Sequence, residues 1–174
     1  MTEFVRDERF NGPKLYDVKI PNVECAYLYL FNPDTAFNDS KWKVTMFLSD
    51  QYAEALSKVG FNVKTWKTKE GKEPSKYDGR KYIVATRKTH TKDGGNMYPP
   101  KVYEADGKSY WNKEVAIGNG SICNVIIAGK YMNIKGETVL PCYLQSVQVV
   151  RHEEYNSSPF DDVSEPGTGE DVPF

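Results

Sequence analysis

Apolar residues recur at every second position over short stretches of this chain, and Gly, Pro, Asn and Asp punctuate the stretches. A two-residue period puts alternate side chains on opposite faces of an extended strand, so it can bury a core only as part of a sheet. The run 24–31 sets Cys25, Tyr27, Tyr29 and Phe31 against Ala26, Leu28 and Leu30, apolar or aromatic on both faces, which places it within a sheet. Asn32-Pro33-Asp34 then ends it. The run 41–48 has Trp42, Val44, Met46 and Leu48 on one face and Lys41, Lys43, Thr45 and Phe47 on the other, the pattern of a half-buried strand. Further strand-like runs cover 81–89, 101–104, 109–115, 121–131 and 137–150, with turns at Asp93-Gly94-Gly95, Asp106-Gly107, Gly118-Asn119-Gly120 and Lys135-Gly136. Pro141 predicts an edge position or a bulge in the last of them. One stretch has the helical period instead: Tyr52, Ala55, Leu56 and Val59 form a stripe, Ser49 or Asp50 caps it, and Gly60 suits its end after Lys58.

Strands of this number with a single helix predict a mainly β fold, an OB-fold-like antiparallel barrel of five strands or slightly more. At 174 residues the chain suffices for one domain with a core, read as 1–152, followed by a disordered acidic tail, 153–174.

The near-neutral total of 23 basic and 24 acidic residues conceals a split. Residues 1–152 hold all 23 Lys and Arg against 17 acids, a net +6, and 153–174 hold seven acids and nothing basic. The stretch 58–92 is denser still, with eleven basic residues against Glu70, Glu73 and Asp78. Such a body suits a polyanionic partner. The tail has too few apolar residues to offset the entropy of ordering, so it reads as solvated. Its end, Asp171-Val172-Pro173-Phe174, offers a ring and a carboxylate for terminal recognition, with Asp161, Asp162, Glu165 and Glu170 adding charge for a protein partner.

Aromatic residues interleave with basic ones at Lys41-Trp42-Lys43, Thr65-Trp66-Lys67, Lys76-Tyr77, Lys81-Tyr82, Lys101-Val102-Tyr103 and Lys108-Ser109-Tyr110-Trp111. Unpaired bases stack on rings while cations neutralise the phosphates between them, so the pattern points to single-stranded nucleic acid. Trp42 reads as core because Val44, Met46 and Leu48 share its face, and alternation allows the same for Tyr82 and Tyr103. Trp66 lies in the polar arm 64–80 without apolar partners at strand or helix spacing, which predicts exposure. The predicted DNA surface is Lys64, Trp66, Lys67, Lys69, Tyr77, Arg80, Lys81, Arg87, Lys88, Tyr110 and Trp111, rings stacking and cations binding phosphate.

Other chemistry finds less support. Asp34, Asp106 and Lys108 could serve a metal-dependent nuclease, yet each carboxylate sits in a turn sequence that backbone geometry alone explains. Gly118-Asn119-Gly120-Ser121 reads as a hairpin turn, since it lacks the Gly-Lys-Ser/Thr ending of a phosphate loop. Cys25, Cys123 and Cys142 are widely spaced and read as small buried residues, and His90 and His152 read as surface residues, so no metal or other cofactor is expected. No apolar run suits a signal peptide or a membrane span, and the expected location is the cytoplasm.

On these residues the chain resembles replication single-stranded DNA-binding proteins. Asp171-Val172-Pro173-Phe174 is similar to the acidic Pro-Phe ending of bacterial members. The body resembles the bacteriophage T7 type over 41–48 with the following helix, over Val115-Ala116-Ile117-Gly118-Asn119-Gly120-Ser121 and the strand through Tyr131, and over the closing strand Leu144-Gln145-Ser146-Val147-Gln148-Val149-Val150. The pattern covers roughly the C-terminal half. The tail is shorter and less acidic than the phage type shows. The resemblance implies a non-enzymatic protein that coats single-stranded DNA in replication, recombination and repair. It also implies a tail that competes for the DNA groove and recruits polymerase or helicase-primase, and it carries the expectation of a homodimer. An OB-type adaptor binding protein through the tail and RNA incidentally is the other reading of the same residues.

Overall fold

The computed structural model describes residues 5–7, 14–35, 40–91, 93–134 and 136–154. The tail residues Asp161, Asp162, Glu165, Glu170, Asp171, Val172, Pro173 and Phe174 lie outside them. In chain order the elements are β1 (Val5–Asp7), β2 (Lys14–Asp34), β3 (Lys41–Phe47), α1 (Asp50–Val59), β4 (Lys64–Thr65), β5 (Lys81–Lys88), β6 (Lys101–Tyr103), β7 (Ser121–Lys130), β8 (Met132–Ile134), β9 (Glu137–Val139) and β10 (Cys142–Arg151).

Five of these strands close a barrel in the order β5-β3-β2-β7-β10, antiparallel throughout except for the parallel pairing Tyr143↔Thr86 that joins β10 back to β5. The expected OB-type barrel with one helix is what forms. β4 adds to the start of β5, β6 runs parallel to β10 beyond the end of β5, and β1 pairs with the start of β2. No helix among the described residues is long and apolar enough to cross a membrane.

The interior is filled by alternate residues of each strand, among them Ile20, Leu30, Val44, Met46, Ile83, Val125, Ile127, Leu144 and Val147. Along β2 the positions buried in the barrel are Val18, Ile20, Val23, Cys25 and Leu30, with half-buried Leu28 packed against the same core, while Ala26 is buried in a separate cluster with Phe47 and Tyr77. The intervals of two are broken by intervals of three because β2 carries extra residues relative to its partners between Ile20 and Val23 and between Ala26 and Tyr29. Each bulge resets which parity faces inward and coils the strand. Asn22 (φ 48°) and Tyr27 (φ 52°) take the left-handed conformation at these two bulges. Side chains on β7 and the turn before it secure both: the Asn22 N–H donates to Asn124 Oδ1 at 2.8 Å and the Tyr27 N–H to Asn119 Oδ1 at 2.7 Å.

α1 starts where Ser49 accepts a hydrogen bond from the Tyr52 N–H (3.3 Å) and stops at Gly60 (φ 122°), as its sequence predicts. Ala53 and Leu56 are its buried side. Two strand expectations change. Residues 109–115 form turns rather than a strand, joined to β6 by the bridge Tyr103↔Tyr110 and by the Trp111 N–H donating to Val102 O at 2.9 Å. The run 137–150 divides at Pro141 into β9, which turns back on β8, and β10. The body also extends two residues past the expected boundary at 152: Gly118 donates to Glu153 O at 2.8 Å, and Glu154 bridges to Ile117.

Candidate nucleic-acid interface

Residues directly opposite in an antiparallel pair share a face, so the register across β2, β3 and β5 sorts their side chains. Cys25, Met46 and Ile83 form a rung that points into the barrel, and the neighbouring rung Glu24–Phe47–Tyr82 points out. Outward rungs continue as Ala26–Thr45–Val84, Tyr29–Lys43–Thr86 and Asp34–Lys41–Lys88. Thr45 and Phe47, which alternation places on the solvent side, are nevertheless buried. Over Phe47 lie Trp66 and Tyr77 of the arm 64–80.

That arm is a hairpin extension of β4 and β5. The Trp66 N–H donates to Arg80 O and the Gly79 N–H to Trp66 O, both at 2.9 Å, and Asp78 Oδ1 accepts from the Thr68 N–H at 2.8 Å and from Thr68 Oγ1 at 2.6 Å. Lys64 lies opposite Tyr82 and therefore on the outer face, and Trp66, two residues on, continues along it. Trp66 is half-buried rather than exposed. Its ring stacks on Tyr27 (5.9 Å between centroids, 4° between planes) and meets Tyr82 at 5.1 Å, Tyr77 at 5.6 Å and Phe47 at 5.8 Å. Its apolar partners come from other strands, which spacing within the arm does not reveal.

Tyr77, predicted to stack on bases, is 3% exposed and stacks on Phe47 at 4.3 Å instead. Its hydroxyl has no hydrogen-bond partner among the described residues, and burial raises its pKa above 10, reinforced by Tyr27 and Glu24. This ring supports the platform from beneath and offers no face to a base. The rings most open to solvent on this side are Tyr27 (40%) and Tyr29 (37%), neither singled out from sequence. Both were read as one face of a strand lying within a sheet, and the bulge at Tyr27 is what turns them outward. The sequence carries no local signal for it, since 25–31 is apolar or aromatic at every position and the bulge shows only in the register with β3.

Cations surround these rings with different degrees of freedom. Lys64, Lys67, Lys69 and Lys88 are exposed, the first three on the arm and its root and the last on the final outward rung. Lys43 Nζ stands 5.4 Å from the Tyr29 ring centroid and pairs with Asp34 Oδ2 at 2.7 Å. Arg80, predicted to bind phosphate, is engaged by Glu24 (Nη1 to Oε1, 3.0 Å) and lies over the Phe47 ring at 4.7 Å, which makes it a brace between arm and barrel. Lys81 lies opposite Thr65 and so faces away from Lys64 and Tyr82. Arg87 is in register with buried Trp42, not with the outward rungs, and its Nε donates to Tyr98 O at 2.6 Å.

Tyr110 and Trp111 lie against β6, away from these rungs. Tyr110 is 62% exposed and stacks on Tyr103 at 5.1 Å, while Trp111 packs against the core, donates from Nε1 to Val115 O at 2.9 Å and meets His152 edge-on. The nuclease residues are occupied separately. Asp106 accepts from the Lys108 and Ser109 N–H groups (2.8 Å each) and from Ser109 Oγ (2.7 Å), bonds that hold its carboxyl below the usual value, while Asp34 pairs with Lys43. Among the described residues no three His, Cys, Asp or Glu side chains gather as a metal site. Cys25 and Cys123 are buried and Cys142 half-buried.

No family model and no curated protein matches this sequence. Solved structures do match in fold. The single-stranded DNA-binding protein from bacteriophage Enc34, in complex with ssDNA, superposes with a TM-score of 0.58 over 88% of this chain and 98% of that one, at 16% identity. The gp2.5 single-stranded DNA-binding protein encoded by bacteriophage T7 superposes with a TM-score of 0.52 over 98% of this chain and all of its own, at 14% identity.

Proposed function

We propose that this chain binds single-stranded DNA without sequence preference, laying it across the outer face of β2, β3 and β5. The observation that carries this reading is the Tyr27–Trp66 stack standing beside Tyr29 on the outward rungs, with Lys43, Lys64 and Lys88 on the same face. Face and chemistry agree: β3 and β5 are the second and third strands of the barrel, the surface through which OB folds commonly take oligonucleotides. Exposed rings provide stacking for any base, and cations release counterions from the backbone, so affinity arises without base-edge contacts. The fold shared with two phage single-stranded DNA-binding proteins supports the same reading.

Within it, the chain coats DNA during phage replication, recombination and repair. The acidic segment that follows the body competes for the basic face and recruits replication proteins through Asp171 to Phe174, and a homodimer belongs to the same reading. Titration with fluorescent oligo(dT), oligo(U) and duplex of equal length, at low and high salt and with magnesium, tests the reading. Tight, salt-sensitive binding to oligo(dT) with quenching of tryptophan fluorescence is expected. Equal affinity for duplex without quenching would sink it, preference for oligo(U) would favour the RNA adaptor, and magnesium-dependent cleavage would favour a nuclease.

A further inference from the structure

β7 begins at Ser121, opposite Cys25, whereas β2 continues to Asp34 with β3 on one side. Along its other side no strand among the described residues pairs with 26–34. A cleft of about 880 Å³ opens there between β2 and the loop 113–119, lined by Tyr27, Tyr29, Phe31, Lys113, Ala116 and Asn119 among others. Its size falls in the range of sites that enclose small organic groups, ~300–1,000 Å³.

Two of its wall residues are Tyr27 and Tyr29, the most exposed rings of the stacking face, so cleft and face are one continuous surface with Tyr27 as the ridge between them. The ridge is built at a cost. Tyr27 holds a left-handed backbone that a bulky residue rarely adopts, and Asn119 Oδ1 fixes it through the 2.7 Å bond to the Tyr27 N–H. Because Asn119 spends its oxygen there, its amide NH2 has no partner among the described residues and is available to a base edge. Lys113 is exposed at the rim.

We infer that the cleft is a second nucleotide subsite, which takes bases of a single strand passing over Tyr27 from the stacking face, with Lys113 on phosphate. The inference rests on the single-strand reading above. It differs from that reading in predicting a length threshold, since a short oligonucleotide fills the face alone and only a longer one reaches the cleft.

The test uses the full chain with Ala116→Trp, which fills the cleft from an exposed position, and Lys113→Gln, which leaves packing untouched. Binding is measured to oligo(dT) of about 4–6 and about 12–16 nucleotides, the span of OB-fold site sizes. Ala116→Trp is expected to lose about tenfold on the long oligonucleotide, within the range for a stacked base, and nothing on the short one. Lys113→Gln is expected to lower the salt slope on the long one by about 1. Both variants matching the parent at both lengths would overturn the subsite while leaving the stacking face intact; failure of the parent to bind either length would remove the reading beneath it. The described chain ends at Glu154, bridged to Ile117 beside the cleft. A peptide of residues 155–174 that binds the parent but not Ala116→Trp, while the long oligonucleotide binds both alike, would assign the cleft to that segment and overturn the inference.

Discussion

Tyr27 and Tyr77 both meet Trp66, the first stacked on it and open to solvent, the second edge-on and buried. Tyr27 accepts a left-handed backbone, roughly 1–2 kcal/mol above the right-handed one for an L-residue, and in return its ring stacks on Trp66 facing solvent. Tyr27→Gly removes the strain and the ring together. We expect this variant to melt no lower than the parent and to bind oligo(dT) about tenfold more weakly, a stacking loss of ordinary size. A fall in melting temperature with unchanged affinity would mean the ring is structural. Tyr77 is the converse case, a buried ring whose hydroxyl has no partner among the described residues, at a desolvation cost of about 1–3 kcal/mol. Tyr77→Phe should therefore leave DNA affinity unchanged and raise thermal stability, by up to about 1 kcal/mol if the hydroxyl stays dry. Reduced affinity in that variant would restore Tyr77 to the binding surface that its sequence context suggested.

At the scale of elements, the barrel depends on closing β10 onto β5, and a close approach lies beside that seam. Phe61 and Leu140 bridge in parallel below Tyr143↔Thr86, and Gly129 of β7 passes so close that an added Cβ would stand 2.8 Å from Leu140 Cδ1 and 3.0 Å from Phe61 Cε1. Both neighbours are buried and have little room to yield. Gly129→Ala should destabilise the fold by about 1–3 kcal/mol, read by denaturant unfolding, without changing the DNA affinity of the folded protein. Elements bounded by local chemistry could be read from sequence: α1 between Ser49 and Gly60, β3 by its alternation, and the turn at Gly118–Gly120. β2 could not be read whole, because its bulges at Asn22 and Tyr27 are stabilised by Asn124 and Asn119, residues about a hundred positions away in the chain. The proposed stacking face was half legible for the same reason. Trp66, Lys64 and Lys88 announced themselves by composition, while Tyr27, Tyr29 and Lys43 join them only through the register of three strands.

For the whole molecule the governing quantity is the separation of charge, net +6 over 1–152 against seven acids and no Lys or Arg over 153–174. The described chain ends at Glu154 beside the cleft wall, so the acidic segment starts within reach of the basic face. On the proposed reading a tethered polyanion and a DNA strand compete for the same cations, and salt screens both, with a Debye length of about 10 Å at 0.1 M. Deleting Glu165–Phe174 removes three acids together with the terminal ring and carboxylate. The shortened chain should bind oligo(dT) more tightly at low salt, on the order of tenfold, and converge with the parent as salt rises, because the removed competition is itself electrostatic. It should also lose affinity for replication proteins that read the terminus. Equal affinity of the two chains at low salt would show that the segment never occupies the face, and the charge split would then serve solubility alone.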